Sequence, residues 1–154
     1  MKRAIGVLGL TAVMLGGMAH GSRVEASSCA ALASDLARSV DHFTTGRRVS
    51  NAIYVEHPQF KRGLLGCASR TRANDIFAES ADRKPRDEFY NAVAQAGGII
   101  FSVPMKDVKN GALRCARMSA RRLGREVNTR YRRMTFVCAM RKDGMRMTVS
   151  RERE

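Results

Sequence analysis

Residues 133–149 read RMTFVCAMRKDGMRMTV and carry the pattern of a β-hairpin. Apolar and polar side chains alternate on both sides of Asp143-Gly144, a pair of residues that favours a two-residue turn with positive φ. This turn predicts a register in which Met140 lies opposite Met147. Both strands would then present their apolar side chains to the same side, and the rest of the chain must cover that side.

The other side of the predicted hairpin is cationic. The same register places Arg141 directly opposite Arg146, which is unfavourable unless solvent or an anion separates the two charges. We therefore expect an arginine-rich sheet face that binds an anionic partner. The candidate binding residues are Arg130, Arg133, Arg141 and Arg146, joined by Arg117 and Arg121.

The first 26 residues have the plan of a cleaved secretory signal. Lys2 and Arg3 precede an apolar run over residues 4–19, and a polar stretch then ends at Ala26. The run is shorter than the ~20 apolar residues that span a bilayer, so no membrane span is expected. We predict a signal peptide at residues 1–26 and a single exported domain at residues 27–154, located in the periplasm or secreted.

Four cysteines follow this leader: Cys29, Cys67, Cys115 and Cys138. An even number of cysteines in an exported chain indicates two disulfides. Three pairings are possible, and we favour Cys29–Cys67 with Cys115–Cys138 because each pair joins neighbouring elements. Loops of this size would each stabilise the fold by roughly 3–4 kcal/mol. The absence of a CxxC spacing argues against a zinc site, and the residues before Cys29 argue against a lipoprotein.

The chain is strongly basic, with 28 Lys plus Arg, 14 Asp plus Glu and a formal net charge of +14. Loss of the leader would leave 25 basic and 13 acidic residues, or +12. Arginine predominates, and its planar guanidinium binds carboxylate and phosphate through paired hydrogen bonds. Such a charge favours anionic partners, although it also keeps an exported protein soluble. Export and the small number of aromatic residues argue against a dedicated nucleic-acid role.

Periodicity predicts the remaining helices and strands. A helix capped by Ser27 or Ser28 and ending at Gly46 would bury Cys29, Leu32, Leu36, Val40 and Phe43. The other expected helices cover residues 85–98 and 110–124, a short one begins near Asn74-Asp75, and the expected strands cover residues 49–56, 63–68 and 99–103.

The segment at residues 110–124 admits a second interpretation. Residues 110–124 match a helix through Leu113, Ala116, Ala120 and Leu123, but Asn110-Gly111 is also a hairpin signal.

Residues 126–132 would continue the first hairpin strand, with a bulge where the apolar alternation changes near Tyr131. The expected fold is α+β: a small antiparallel sheet with a C-terminal hairpin, covered by two or three helices and stapled by two disulfides.

Catalytic chemistry has one candidate pair of residues. His42 and His57 could serve as general acid and base for phosphodiester cleavage, with neighbouring cations stabilising the oxyanion. Neither histidine lies in a catalytic motif, and two surface histidines are the simpler interpretation.

Methionines such as Met140 could ligate Cu(I), but core packing is their commoner use. No metal or cofactor is expected.

These observations predict an exported basic binding protein. It would dock an anionic protein or a cell-envelope polymer through its arginine-rich face, and an inhibitor or immunity-type protein is one concrete form of this class. The alternative is a small secreted metal-independent phosphodiesterase or ribonuclease that uses His42 and His57. A purely structural envelope protein is also compatible with the composition.

Overall fold

The computed structural model describes the backbone of residues 21–151 and the side chains of residues 29–151. Most of the predicted signal peptide therefore lies outside the described residues. The helices of the described range are α1 (Gly21–Ser39), α2 (Asp87–Phe101) and α3 (Met105–Ala120). Its strands are β1 (Thr44–Val49), β2 (Ala52–Glu56), β3 (Arg62–Gly66), β4 (Asp75–Glu79), β5 (Glu126–Tyr131), β6 (Met134–Arg141) and β7 (Gly144–Arg151).

The described strands form one antiparallel sheet in the order β1-β2-β3-β4-β7-β6-β5. The α+β class is therefore confirmed, but this seven-stranded sheet is larger than the small sheet expected from the sequence. The helices pack on one face of it, which we call the covered face. We call the opposite face the open face.

The core lies between the covered face and the helices. One row of side chains crosses six strands in register and is buried throughout: Ile53, Leu65, Ile76, Val149, Phe136 and Thr129. Helix α3 packs on this row, because a Cβ atom added at Gly111 would lie 2.2 Å from Cζ of Phe136. Helix α2 reaches the same side, where the Tyr90 hydroxyl contacts the sulfur of Met145 at 3.6 Å.

Both predicted disulfides are confirmed. Cys29 of α1 pairs with Cys67, which follows β3, and Cys115 of α3 pairs with Cys138 of β6. Each disulfide links a helix to the sheet, and the two disulfides lie at opposite halves of the covered face.

The N-terminal elements differ from the sequence prediction. Helix α1 runs through Ser27 and Ser28, which therefore do not cap it, and it ends at Ser39. Val40 and Phe43 are buried as expected, but from the segment after the helix. The strand predicted at residues 49–56 is confirmed over Ala52–Glu56 (β2), but Val49 ends the preceding strand, because Ser50 has a φ of 51° and turns the chain from β1 into β2.

The short helix predicted near Asn74-Asp75 is also wrong, since Asp75 begins strand β4. This strand lies at the centre of the sheet, between β3 and β7. Its sequence, DIFAE, has acidic residues at both ends. An aspartate at the first position resembles a helix N-cap, and the pairing with two neighbouring strands makes this segment a strand.

Helix α2 begins at Asp87, two residues after the predicted start at Pro85, and Asp87 and Glu88 lie in its first turn as expected. It does not end at Gly97-Gly98, and the strand expected over residues 99–103 is wrong because α2 continues to Phe101. The glycines instead permit close helix packing: an added Cβ would lie 2.8 Å from Val108 at position 97 and 2.9 Å from Met105 at position 98.

Helix α3 settles the alternative at residues 110–124 in favour of a helix. It spans Met105–Ala120, so Asn110-Gly111 is not a turn. Its buried face differs in part from the predicted stripe, because Ala116 is buried whereas Ala120 and Leu123 are exposed. The buried positions are Val108, Gly111, Ala112, Cys115, Ala116 and Ser119.

The C-terminal hairpin exists, but its register is shifted by two residues. Met140 pairs with Met145, and Arg141 pairs with Gly144, so the predicted Arg141–Arg146 pairing is wrong. Gly144 begins β7 against the Ser80 carbonyl, where an added Cβ would lie 2.0 Å from the oxygen. A shift of two residues keeps every side chain on its predicted face because the strand period is two.

The alternation change near Tyr131 marks a turn and not a bulge. Arg132 and Arg133 have φ values of 49° and 61°, and they connect β5 to β6 as a separate hairpin. Both central residues of a type I′ turn need positive φ, which arginine adopts at a cost that Asn-Gly avoids. Residues 126–131 therefore form a strand of their own.

Candidate functional site

The predicted arginine set is divided between the two layers of the molecule. Arg130, Arg141 and Arg146 lie on β5, β6 and β7 and alternate with buried neighbours, so they belong to the open face. Arg133 lies in the β5–β6 turn. Arg117 lies in the last turn of α3 and Arg121 caps it, so the structure does not bring these two residues to the open face.

Arg146 is engaged by a buried carboxylate. The Glu79 side chain is 5% exposed, and its oxygens lie 2.8 Å from Nη2 of Arg62, 3.5 Å from Nη2 of Arg146 and 3.8 Å from Nζ of Lys61. Three cations thus surround one carboxylate, and the cluster keeps a net positive charge. A buried charge needs such partners.

The open face has an apolar centre that the sequence analysis did not identify. One row in register crosses five strands with partly exposed side chains: Tyr54, Leu64, Phe77, Thr148 and Val137. We call it the open row. Neighbouring strands lie about 4.8 Å apart, so the row is about 19 Å long. The alternation of Ile53 and Tyr54 indicated two faces for β2, but nothing in the sequence showed which strands would be neighbours.

Two guanidinium groups cover the aromatic rings of the open row. The Cζ atom of Arg47 lies 5.3 Å from the centroid of Tyr54, and the Cζ atom of Arg62 lies 5.2 Å from the centroid of Phe77. These are cation–π distances. A stacked guanidinium keeps N–H donors in its own plane, where a carboxylate can accept paired hydrogen bonds.

A pocket of about 340 Å³ opens beside this row, between the β1–β2 turn and β4. Asp75 lies in its wall, buried and in contact with the Arg72 guanidinium. The carboxylate lies directly over Gly66, where an added Cβ would be 2.4 Å from Oδ1. Burial raises the pKa of Asp75, and the positive charge of Arg72 opposes that shift.

The two histidines of the described chain line one pocket of about 240 Å³, together with Glu88, Asn91 and Gln95 of α2. Nδ1 of His57 accepts a hydrogen bond from the Gln59 N–H at 3.2 Å, and the ring packs 5.2 Å from Phe60. Burial lowers the pKa of His57, the charge of His42 lowers it further, and a hydrogen bond with the Asp41 backbone opposes both.

The geometry of this pocket gives limited support to phosphodiester chemistry. His42 and His57 are brought together, as a general acid and base would have to be. The described lining residues, however, include Glu88 and neither lysine nor arginine, so none of them offers a cation for the phosphate oxyanion. His57 already uses Nδ1 and packs against phenylalanine, which is the environment of a structural histidine.

In the range that the structure covers, no group of three or more His, Cys, Asp or Glu side chains could hold a metal ion. None of the described helices has both the length and the apolar character that crossing a bilayer requires.

A scan against protein-family models found no match, and searches of curated proteins and of solved structures found no significant match either.

Proposed function

We propose that this protein is a binding protein that docks an acidic protein on the open face of its sheet. One observation carries the proposal: Arg47 and Arg62 stack on Tyr54 and Phe77 within a partly exposed apolar row. An exported inhibitor or immunity-type protein is one concrete form of this function.

The composition of the open row is that of a protein interface. Tyrosine, phenylalanine and arginine are enriched in the centres of such interfaces, and tyrosine and arginine are common among hot-spot residues. Tyr54 and Phe77 provide rigid apolar area, and Leu64 and Val137 extend it along the same row. A row about 19 Å long suits a contact of standard size, about 800 Å² on each partner.

The charges of the open face select an acidic partner. Its cations include Arg47, Arg62, Arg130, Arg141 and Arg146, whereas its two buried acids, Asp75 and Glu79, already have basic partners. A carboxylate of a partner could accept paired hydrogen bonds from the Arg47 guanidinium, whereas Arg62 already donates to Glu79. An anionic polymer would use the same arginines but would leave the apolar row without a function.

A peptide titration tests the proposal. The probe is a ten-residue peptide of alternating glutamate and leucine, and the readout is the ¹³C-methyl NMR spectrum of Leu64 and Val137. We expect both methyl signals to shift. Arg47→Gln should weaken binding about tenfold, because a hydrogen bond to a charged group contributes roughly 1.5 kcal/mol.

The matched control is Arg48→Gln, which removes the same charge from the same strand. Arg48 pairs with Ile53, so the Arg48 side chain lies on the covered face together with that of Ile53. The Arg48→Gln variant should therefore leave the affinity for the peptide unchanged. Equal weakening by both variants would contradict docking on the open row. Polyglutamate or dextran sulfate that bound wild type and Tyr54→Ala/Phe77→Ala equally well would identify a polymer-binding face instead.

A further inference from the structure

We infer that a second site, at one end of the sheet, binds a small anion that carries an apolar chain. The site is a pocket of about 420 Å³, which we call the basic pocket. Three segments that are distant in sequence form it. Its lining residues are Arg83 after β4, Leu123 and Gly124 between α3 and β5, and Met140, Arg141 and Lys142 at the β6–β7 turn.

Among the described residues, the lining contains three cations and no acidic residue. No ion pair joins Arg83, Arg141 or Lys142 to an acidic residue in the part of the chain that the structure describes. Elsewhere in this protein three cations converge on the buried carboxylate of Glu79. In the basic pocket the positive potentials of three exposed cations add, and this favours the binding of an anion from solution.

The apolar part of the lining argues that the anion has a tail. Leu123 is 53% exposed in the loop after α3, and its side chain lines one side of the pocket. The Met140 side chain is buried, and it forms the apolar wall on the other side of the pocket. The volume corresponds to roughly a dozen water-sized groups, which exceeds a bare phosphate or carboxylate.

Backbone hydrogen bonds hold the three segments together. The Gly124 N–H donates to the Met140 carbonyl at 2.9 Å, which joins the α3–β5 loop to the hairpin. The Ser80 N–H donates to the Met145 carbonyl at 2.8 Å, which joins the segment after β4 to the same hairpin. The parts of the pocket around Gly124 and Met140 are therefore held in place before a ligand binds.

Calorimetry with monoalkyl phosphates below their micellar concentration tests the inference. We expect decyl phosphate to bind, with affinity rising about fourfold per added methylene from hexyl phosphate upward. Inorganic phosphate should bind at least a hundredfold more weakly. The ¹³C-methyl signal of Met140 should shift only with the alkyl phosphates, which locates the ligand at this pocket.

Two double variants give the matched comparison. Arg141→Gln/Lys142→Gln should weaken decyl phosphate binding at least tenfold, whereas Lys106→Gln/Arg114→Gln removes two exposed cations of α3 that do not line the pocket and should have no effect. Arg83→Gln, in an exposed loop, gives an independent check. Equal binding of decyltrimethylammonium, or equal weakening by the two double variants, would overturn the inference.

Vesicles distinguish the two sources of such an anion. Binding to vesicles that contain phosphatidic acid, but not to pure phosphatidylcholine vesicles, would identify a lipid headgroup in a bilayer as the ligand. Binding to soluble decyl phosphate alone would identify a free amphiphile. Both results support the site. Neither depends on the open row, because Tyr54→Ala and Phe77→Ala should leave decyl phosphate binding intact.

Discussion

The two faces of the sheet contain equally apolar rows with different surroundings. On the covered face the row through Leu65 and Phe136 is completely buried beneath helices. The open row, displaced by one residue along each strand, is partly exposed, and the guanidiniums of Arg47 and Arg62 stack on two of its rings. The difference shows that apolar alternation identifies a face but not what covers it. One row stabilises the fold, and the other is available to a partner.

Replacing one phenylalanine on each face tests this comparison most directly. Phe136→Ala should lower the free energy of unfolding by about 3–5 kcal/mol, because it empties a fully enclosed site. Phe77→Ala should lower it by only about 1 kcal/mol, because water can replace the partly exposed ring. Urea unfolding monitored by circular dichroism measures both. Equal losses would show that the open row is as important for folding as the covered one.

The contact between α3 and the covered face gives a smaller effect. Gly111→Ala should destabilise the protein by about 1–3 kcal/mol although alanine favours helices, because the new methyl group would overlap the Phe136 ring. Thermal unfolding compares it with Gly98→Ala, whose added methyl group meets the flexible and exposed Met105. The control should cost less. If Phe136→Leu does not rescue Gly111→Ala, the clash is not the cause.

The smallest expected effect is a difference in how groups on the covered side and on the open face make the free energy of unfolding depend on pH. Burial on the covered side lowers the pKa of His57 from 6.5, so the unfolded chain binds the proton more readily. This contribution to stability is complete above pH 6.5 and is lost as the pH falls through the lower folded pKa. Asp75 on the open face changes the stability in the opposite direction. Its pKa is raised above 3.8, so the folded chain binds the proton more readily than the unfolded chain. This contribution to stability is complete below pH 3.8 and is lost as the pH rises through the raised pKa.

Urea unfolding between pH 7.5 and 5.5 tests the histidine contribution. His57→Gln should remove part of the loss of stability on acidification, which for one proton cannot exceed about 1.4 kcal/mol per pH unit. Asp75→Asn should alter the pH dependence mainly at lower pH. An unchanged slope in His57→Gln would show that the imidazole titrates alike in the folded and unfolded chains.

Local patterns predicted much of the fold. The α+β class, the start of α2, the existence of α3 and the faces of the C-terminal strands all follow from short-range periodicity. The predictions that were wrong involved long-range packing. Gly97 and Gly98 resembled a helix end, but they let α2 and α3 approach each other. Gly144 resembled the centre of a turn, but its close contact with Ser80 places it at the start of β7.

The candidate sites were less predictable than the fold. Sequence identified the arginine excess and the candidates Arg130, Arg141 and Arg146, but not the open row, because its members come from strands brought together by pairing over long sequence distances. It also grouped Arg117 and Arg121 with the hairpin, although these residues belong to the helical layer.

The sequence by itself determined the net charge of +14, the four cysteines and the alternation that separates two faces on each strand. These properties depend only on composition and on neighbouring residues. Only the tertiary structure decided which face is covered, which cations stack on aromatic rings and which converge on the basic pocket. Those relations bring Arg83 and Arg141 to one pocket and align Tyr54 and Val137 at the two ends of one row, and residues so far apart in sequence are arranged in this way only when the whole sheet has formed.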